Sequence, residues 1–87
     1  MTFNDLITRL LLLRNKLGSE HWLEIKIGAQ DMFTVSLGYH GYTGRAQRQT
    51  VYRRKISKLY TGEAWYTITD RLNRWLQNET KQPNLIP

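Results

Sequence analysis

Six basic side chains, Arg45, Arg48, Arg53, Arg54, Lys55 and Lys58, fall in one short stretch that contains no acid. Cations clustered in this way build a local positive potential that attracts phosphates, whereas the same charges dispersed only keep a chain soluble. Outside this stretch 7 basic and 7 acidic residues cancel, so the whole formal net charge of +6 originates in it. No acid occurs between Met32 and Gly62. Just before it stands Gly38-Tyr39-His40-Gly41-Tyr42-Thr43-Gly44. Tyr39, His40 and Tyr42 offer rings for stacking or groups that bond phosphate, and the glycines let backbone N–H groups approach an anion closely. These three and the six cations form the candidate nucleic-acid-binding set.

Catalytic chemistry has less support. His21 and His40 are the two histidines and there is no cysteine, so a zinc site would need both rings plus carboxylates such as Glu20 or Glu24, and the spacing matches no zinc signature. The chain has no paired-carboxylate motif, no phosphate-cradling glycine fingerprint ahead of a Lys-Ser/Thr pair and no nucleophile elbow. We expect no catalytic residue, no metal and no cofactor. A ribonuclease-like use of His40 as a general base, with the arginines holding a phosphate, is the third-ranked alternative.

The elements that must position these groups follow from periodicity. Phe3, Leu6, Leu10, Leu13 and Leu17 recur at helical steps, with Ile7 and Leu11 widening the stripe, Thr2 as a start and Gly18 as a stop. Leu12 falls off that stripe and is a candidate for partner binding, including a homodimer through this helix. His21–Ile27 and Met32–Leu37 alternate with period two and are joined through Gly28-Ala29-Gln30-Asp31, which predicts an antiparallel hairpin. On its first strand Trp22 shares a face with Glu24 and Lys26, opposite Leu23, Ile25 and Ile27, and is the second partner-binding candidate.

Residues 38–44 read as a glycine-rich loop. Val51, Tyr52, Ile56, Leu59 and Tyr60 suggest a second helix over 46–60, ended by Gly62, with Arg48, Lys55 and Lys58 projecting away from the core. Trp65, Ile68, Leu72, Trp75 and Leu76 suggest a last helix, with Thr61 as its cap and Glu63 in its first turn. An alternative turns a second hairpin at Tyr60-Thr61-Gly62-Glu63, runs Trp65–Thr69 as a strand, and starts the final helix near Thr69. Both are small α+β domains with helices packed on one face of an antiparallel sheet.

The second arrangement is similar in element order to double-stranded RNA-binding domains, but its basic segment precedes the last helix instead of opening it. A helix-turn-helix reading pairs 46–60 with 63–78 around Gly62, yet puts Trp65 and Trp75 on the supposed recognition helix. Neither establishes a family.

At 87 residues and 10.3 kDa, with 40% hydrophobic residues, the chain supports one domain over 1–80 followed by a polar tail over 81–87. The run Leu10–Leu13 is too short for a bilayer span, which takes about 20 apolar residues. No secretory signal pattern precedes His21, so the expected start is Met1. The absence of cysteine suits a reducing cytosol, and we expect a cytoplasmic protein with no membrane contact. The functional expectation is a small basic, non-enzymatic nucleic-acid-binding accessory protein. The alternative is a regulator or inhibitor, of the kind frequent in phages and mobile elements, that presents the same basic face to an acidic protein.

Overall fold

The computed structural model describes residues 1–17, 20–40 and 44–80. Helix α1 (Phe3–Lys16) is followed by strand β1 (His21–Ile27), strand β2 (Met32–His40), strand β3 (Ala46–Lys55) and helix α2 (Thr61–Thr80), with single 3-10 turns at Ala29–Asp31 and Ile56–Lys58. The strands form one antiparallel sheet in the order β1-β2-β3, and the two helices cover one of its faces. This is the expected α+β domain. Gly18, Gly41, Tyr42 and the 81–87 tail lie outside the described residues.

Thr2 opens α1 as read from the sequence. Its hydroxyl accepts from the Asp5 N–H at 3.1 Å while the Asp5 carboxylate accepts from the Thr2 N–H at 3.0 Å, which satisfies two of the helix's orphan donors. The stripe Leu6, Leu10, Leu13 and Leu17 is buried, and Leu12 is 59% exposed on the outer side of the helix. The expected hairpin also forms, with Leu23 opposite Leu37, Ile25 opposite Val35 and Ile27 opposite Phe33. In its connection Gln30 and Asp31 take left-handed backbone at φ 60° and 55°, which closes the chain tightly enough for the Gly28 N–H to reach the Met32 carbonyl at 2.9 Å.

The structure corrects the reading of residues 46–60. They do not form a helix; 46–55 is the third strand, and a single 3-10 turn leads from it into α2. Tyr52, Ile56, Leu59 and Tyr60 do stand at helical spacing, but Thr50-Val51-Tyr52 is a run of strand formers and Tyr60 is exposed. The central strand decides the matter. Phe33, Val35 and Leu37 of β2 are fully buried, and β1 satisfies only one of that strand's two hydrogen-bonding edges. Backbone groups left unpaired there would cost about 1–3 kcal/mol each, and pairing with β3 removes that cost. The helix-turn-helix pair therefore does not exist.

The alternative arrangement expects two further strands, paired as a second hairpin around Tyr60–Glu63; the first of them forms, over 46–55, and the second does not. Residues 65–69 lie inside α2, where Ala64, Ile68 and Leu72 are fully buried at helical spacing. Thr61 does not cap α2 through its side chain as expected; its hydroxyl donates to the Met1 carbonyl instead. Trp65 and Trp75 pack against the core from α2, as their period implies. Among the described residues no helix is long and apolar enough to cross a membrane.

Strand β3 carries one irregularity. Val35 pairs with Tyr52 and Ser36 with Thr50, so Val51 is an extra residue in the strand. A bulge of this kind lets consecutive residues leave strict alternation. Val51 and Tyr52 both belong to the buried core, at 7% and 6% exposure. The Val51 carbonyl, displaced from the ladder, accepts a hydrogen bond from the Arg71 guanidinium of α2 at 2.6 Å.

Candidate nucleic-acid interface

The sheet face turned away from the helices is uncovered, and the strand register shows which side chains share it. Trp22, Gly38 and Arg48 form one row across the three strands; Glu24, Ser36 and Thr50 form the next, and Lys26, Thr34 and Arg53 the one after. Met32 and Lys55 close one end, and His40 with Ala46 the other. Side chains directly opposite one another project to the same side, so these rows make one continuous surface. Part of it is a shallow groove of about 440 Å³ lined by Lys26, Thr34, Ser36, Arg48, Thr50 and Arg53, among others.

Electrostatically this face is lopsided. Lys26, Arg48, Arg53 and Lys55 contribute four positive charges, and Glu24 is the one carboxylate among its strand residues. Glu24 is already engaged: one carboxylate oxygen accepts from the Trp22 indole Nε1 at 3.3 Å and the other lies 3.0 Å from Arg48 Nε. The pair is solvent-exposed, with side-chain exposures of 71% for Arg48 and 36% for Glu24, so it holds Arg48 beside Trp22 and adds little to stability. Arg53 and Lys55 are exposed on this face.

Two aromatic rings stand at one end. The Trp22 indole lies across Gly38, where a Cβ would fall on the ring, and the His40 imidazole meets it edge-on with centroids 5.1 Å apart. Gly38 is therefore present to make room for the indole. The sequence reading puts it in a glycine-rich loop, but β2 runs through to His40.

The structure thus divides the expected site. Arg48, Arg53, Lys55 and His40 come together on the open face, with Trp22 beside them. Arg54 sits opposite Phe33 and so projects on the helix side at the sheet edge. Lys58 lies in the 3-10 turn and Arg45 ahead of β3. Tyr39 is on the helix side, its ring tilted against Trp75 at 4.7 Å. His21 is there too, edge-on to Trp75 at 5.7 Å, so the two histidines lie on opposite faces. No cluster of three potential metal ligands occurs among the described residues. Leu12, on the outer side of α1, and Trp22, on the open face, belong to opposite layers, so an interface through α1 does not also cover Trp22.

Lys26, Thr34, Ser36 and Thr50 lie on this candidate face without having been singled out from the sequence. The alternation of β1 and β2 carries the signal for Lys26, Thr34 and Ser36, since it puts them on the polar side of each strand. Thr50 depends on the β3 register, which the bulge obscures. The first turn of α2 holds Glu63 and no cation, so the departure from the duplex-RNA-binding pattern stands. No family model, curated protein or solved structure matches the chain.

Proposed function

We propose that this protein is a small non-enzymatic nucleic-acid-binding accessory protein that engages phosphates with the open face of its sheet. The observation that carries the reading is the gathering of Lys26, Arg48, Arg53 and Lys55 on one uncovered face against the single carboxylate of Glu24. Phosphate contacts supply most sequence-independent affinity, through counterion release, and need neither a cofactor nor a metal. The protein works in the cytoplasm in this reading. The exposed Leu11 and Leu12 of α1 form a homodimer contact on the layer opposite the basic face, so dimerisation leaves that face free.

The test is fluorescence anisotropy of labelled single- and double-stranded DNA and RNA at two salt concentrations about fourfold apart. Submicromolar binding that weakens steeply with salt is expected. Arg53→Ala should lower the salt slope by about 0.7–0.9, the value of one phosphate contact, while Arg54→Ala, on the other side of the sheet, should leave it unchanged. Absence of binding to all four ligands at low salt, with saturable binding to one acidic protein, would replace this reading by that of a protein-directed regulator.

A further inference from the structure

We infer that the open face takes single-stranded rather than duplex nucleic acid, with one base stacked on Trp22 at the His40 end and the adjoining backbone running toward Arg53. This rests on the nucleic-acid reading above and names its substrate class.

The width of the surface is the first argument. Three strands about 4.8 Å apart put the outer strand axes about 10 Å from each other before side chains are added. A duplex offers its bases only through its grooves, and the major groove, about 12 Å wide, admits a helix or a two-stranded ribbon. A three-stranded face with Lys26 on one margin and Arg53 on the other takes up nearly that whole width, a poorer match to the groove than a helix or a two-stranded ribbon. One extended strand, by contrast, lies comfortably between those margins.

The second argument is the floor of the surface. Its middle is built from Thr34, Ser36, Gly38 and Thr50, all small, between the taller Trp22 and Lys26 on β1 and Arg48 and Arg53 on β3. Among the described residues none of the three hydroxyls hydrogen-bonds to another protein group, which leaves them for base edges or sugar oxygens. Successive rows are two residues apart along a strand, about 6.8 Å, close to the reach of one extended nucleotide. From the Trp22 row to the Arg53 row the surface therefore accommodates about two to three nucleotides.

The third argument is the aromatic end. Gly38 lets the Trp22 ring lie down across the sheet instead of standing off it, and Glu24 holds its indole N–H, so the ring is set before any ligand arrives. A ring held in this way, next to an arginine, is a stacking platform for an unpaired base, and it has no use for a base already stacked in a duplex. Only a single strand uses both the cations and the platform.

The closing experiment compares four probes of equal length: a single-stranded oligothymidine, the same backbone with abasic sites, a single-stranded RNA and a DNA duplex. The two base-bearing single strands should bind more tightly than the duplex, and removing the bases should weaken binding about fivefold to a hundredfold with little change in salt slope. In a Trp65→Phe/Trp75→Phe background the single strands should quench Trp22 fluorescence and the abasic strand should not. Trp22→Leu, shown to be folded by circular dichroism, should remove the base-dependent affinity. Equal affinity for abasic and base-bearing strands, or tighter binding of the duplex, overturns this inference while nucleic-acid binding stands. Failure to bind any of the four overturns both.

Discussion

The indole of Trp22 occupies the space above Gly38, its cross-strand partner, so that no other residue type at position 38 leaves the ring where it is. A glycine inside a strand normally weakens it, by about 0.5–1 kcal/mol relative to alanine, because it loses more backbone entropy and offers nothing to pack. Here the ring from the neighbouring strand covers that gap. The same contact turns Trp22 from an exposed edge aromatic into a half-buried, oriented surface beside Arg48.

Gly38→Ala should therefore destabilise the fold by about 1–3 kcal/mol, the usual cost of forcing an atom into occupied space. In a Trp22→Ala background the same substitution should be neutral or slightly stabilising. The coupling, about 1–3 kcal/mol, can be read from urea unfolding of the two single variants and the double variant. Equal costs in both backgrounds would mean that the ring does not lie over position 38.

Among the described strand residues Glu24 is the one acid on the basic face, and it holds Arg48 at 3.0 Å. Glu24→Gln keeps an acceptor for the Trp22 indole but frees Arg48 and removes a repulsive charge. An exposed pair of this kind is worth about 0–1 kcal/mol, so stability should change little while affinity for a polyanion rises about twofold to fivefold. A weaker complex would show instead that Glu24 organises the surface more than it opposes the ligand.

Arg71 reaches from α2 to the carbonyl that the bulge frees at Val51, at 2.6 Å. Arg71→Ala should cost about 1–2 kcal/mol. Amide exchange should quicken around Val51 and Tyr52 before it does in β1, because the lost bond pins the bulge specifically. Uniform acceleration across the sheet would contradict that local role.

The Asp5 carboxyl titrates below its ordinary range, chiefly because its charged form accepts the Thr2 backbone N–H, with the Thr2 side chain adding to the effect. A folded value below the unfolded one means that the contribution is fully present above the unfolded pKa and is lost as pH falls through the folded one. The deficit in Tm of Asp5→Asn relative to the native chain should be largest near neutrality and should shrink toward zero in acid. A deficit independent of pH would assign the effect to the shape of the residue rather than its charge.

Local pattern is sufficient wherever an element's apolar residues repeat with its own period. The stripe Leu6, Leu10, Leu13 and Leu17 defines α1, and the alternation of Leu23, Ile25 and Ile27 with Phe33, Val35 and Leu37 defines the hairpin; the last helix shows in Ile68, Leu72 and Trp75, but its first two turns read equally as a strand over 65–69 until Ala64 and Ile68 are found in the core. The α+β class and the concentration of charge in one segment follow from the same residues. The same alternation places Trp22 correctly on the polar side of its strand.

Residues 46–55 are not legible in that way, because the helix-side positions Gln47, Gln49 and Arg54 are polar and exposed, and a bulge at Val51 puts the two buried residues next to each other, so no period-two signal marks a strand. Their conformation is decided by a non-local demand, the unpaired edge of the buried central strand. Once that edge is filled, the register sorts the cations: Arg48, Arg53 and Lys55 to the open face, Arg54 to the other. The residue types set the sign of the segment's charge on their own. Which of those charges stand side by side, and that a tryptophan lies flat beside them over a glycine, depends on pairing between strands distant in sequence, which no local period encodes.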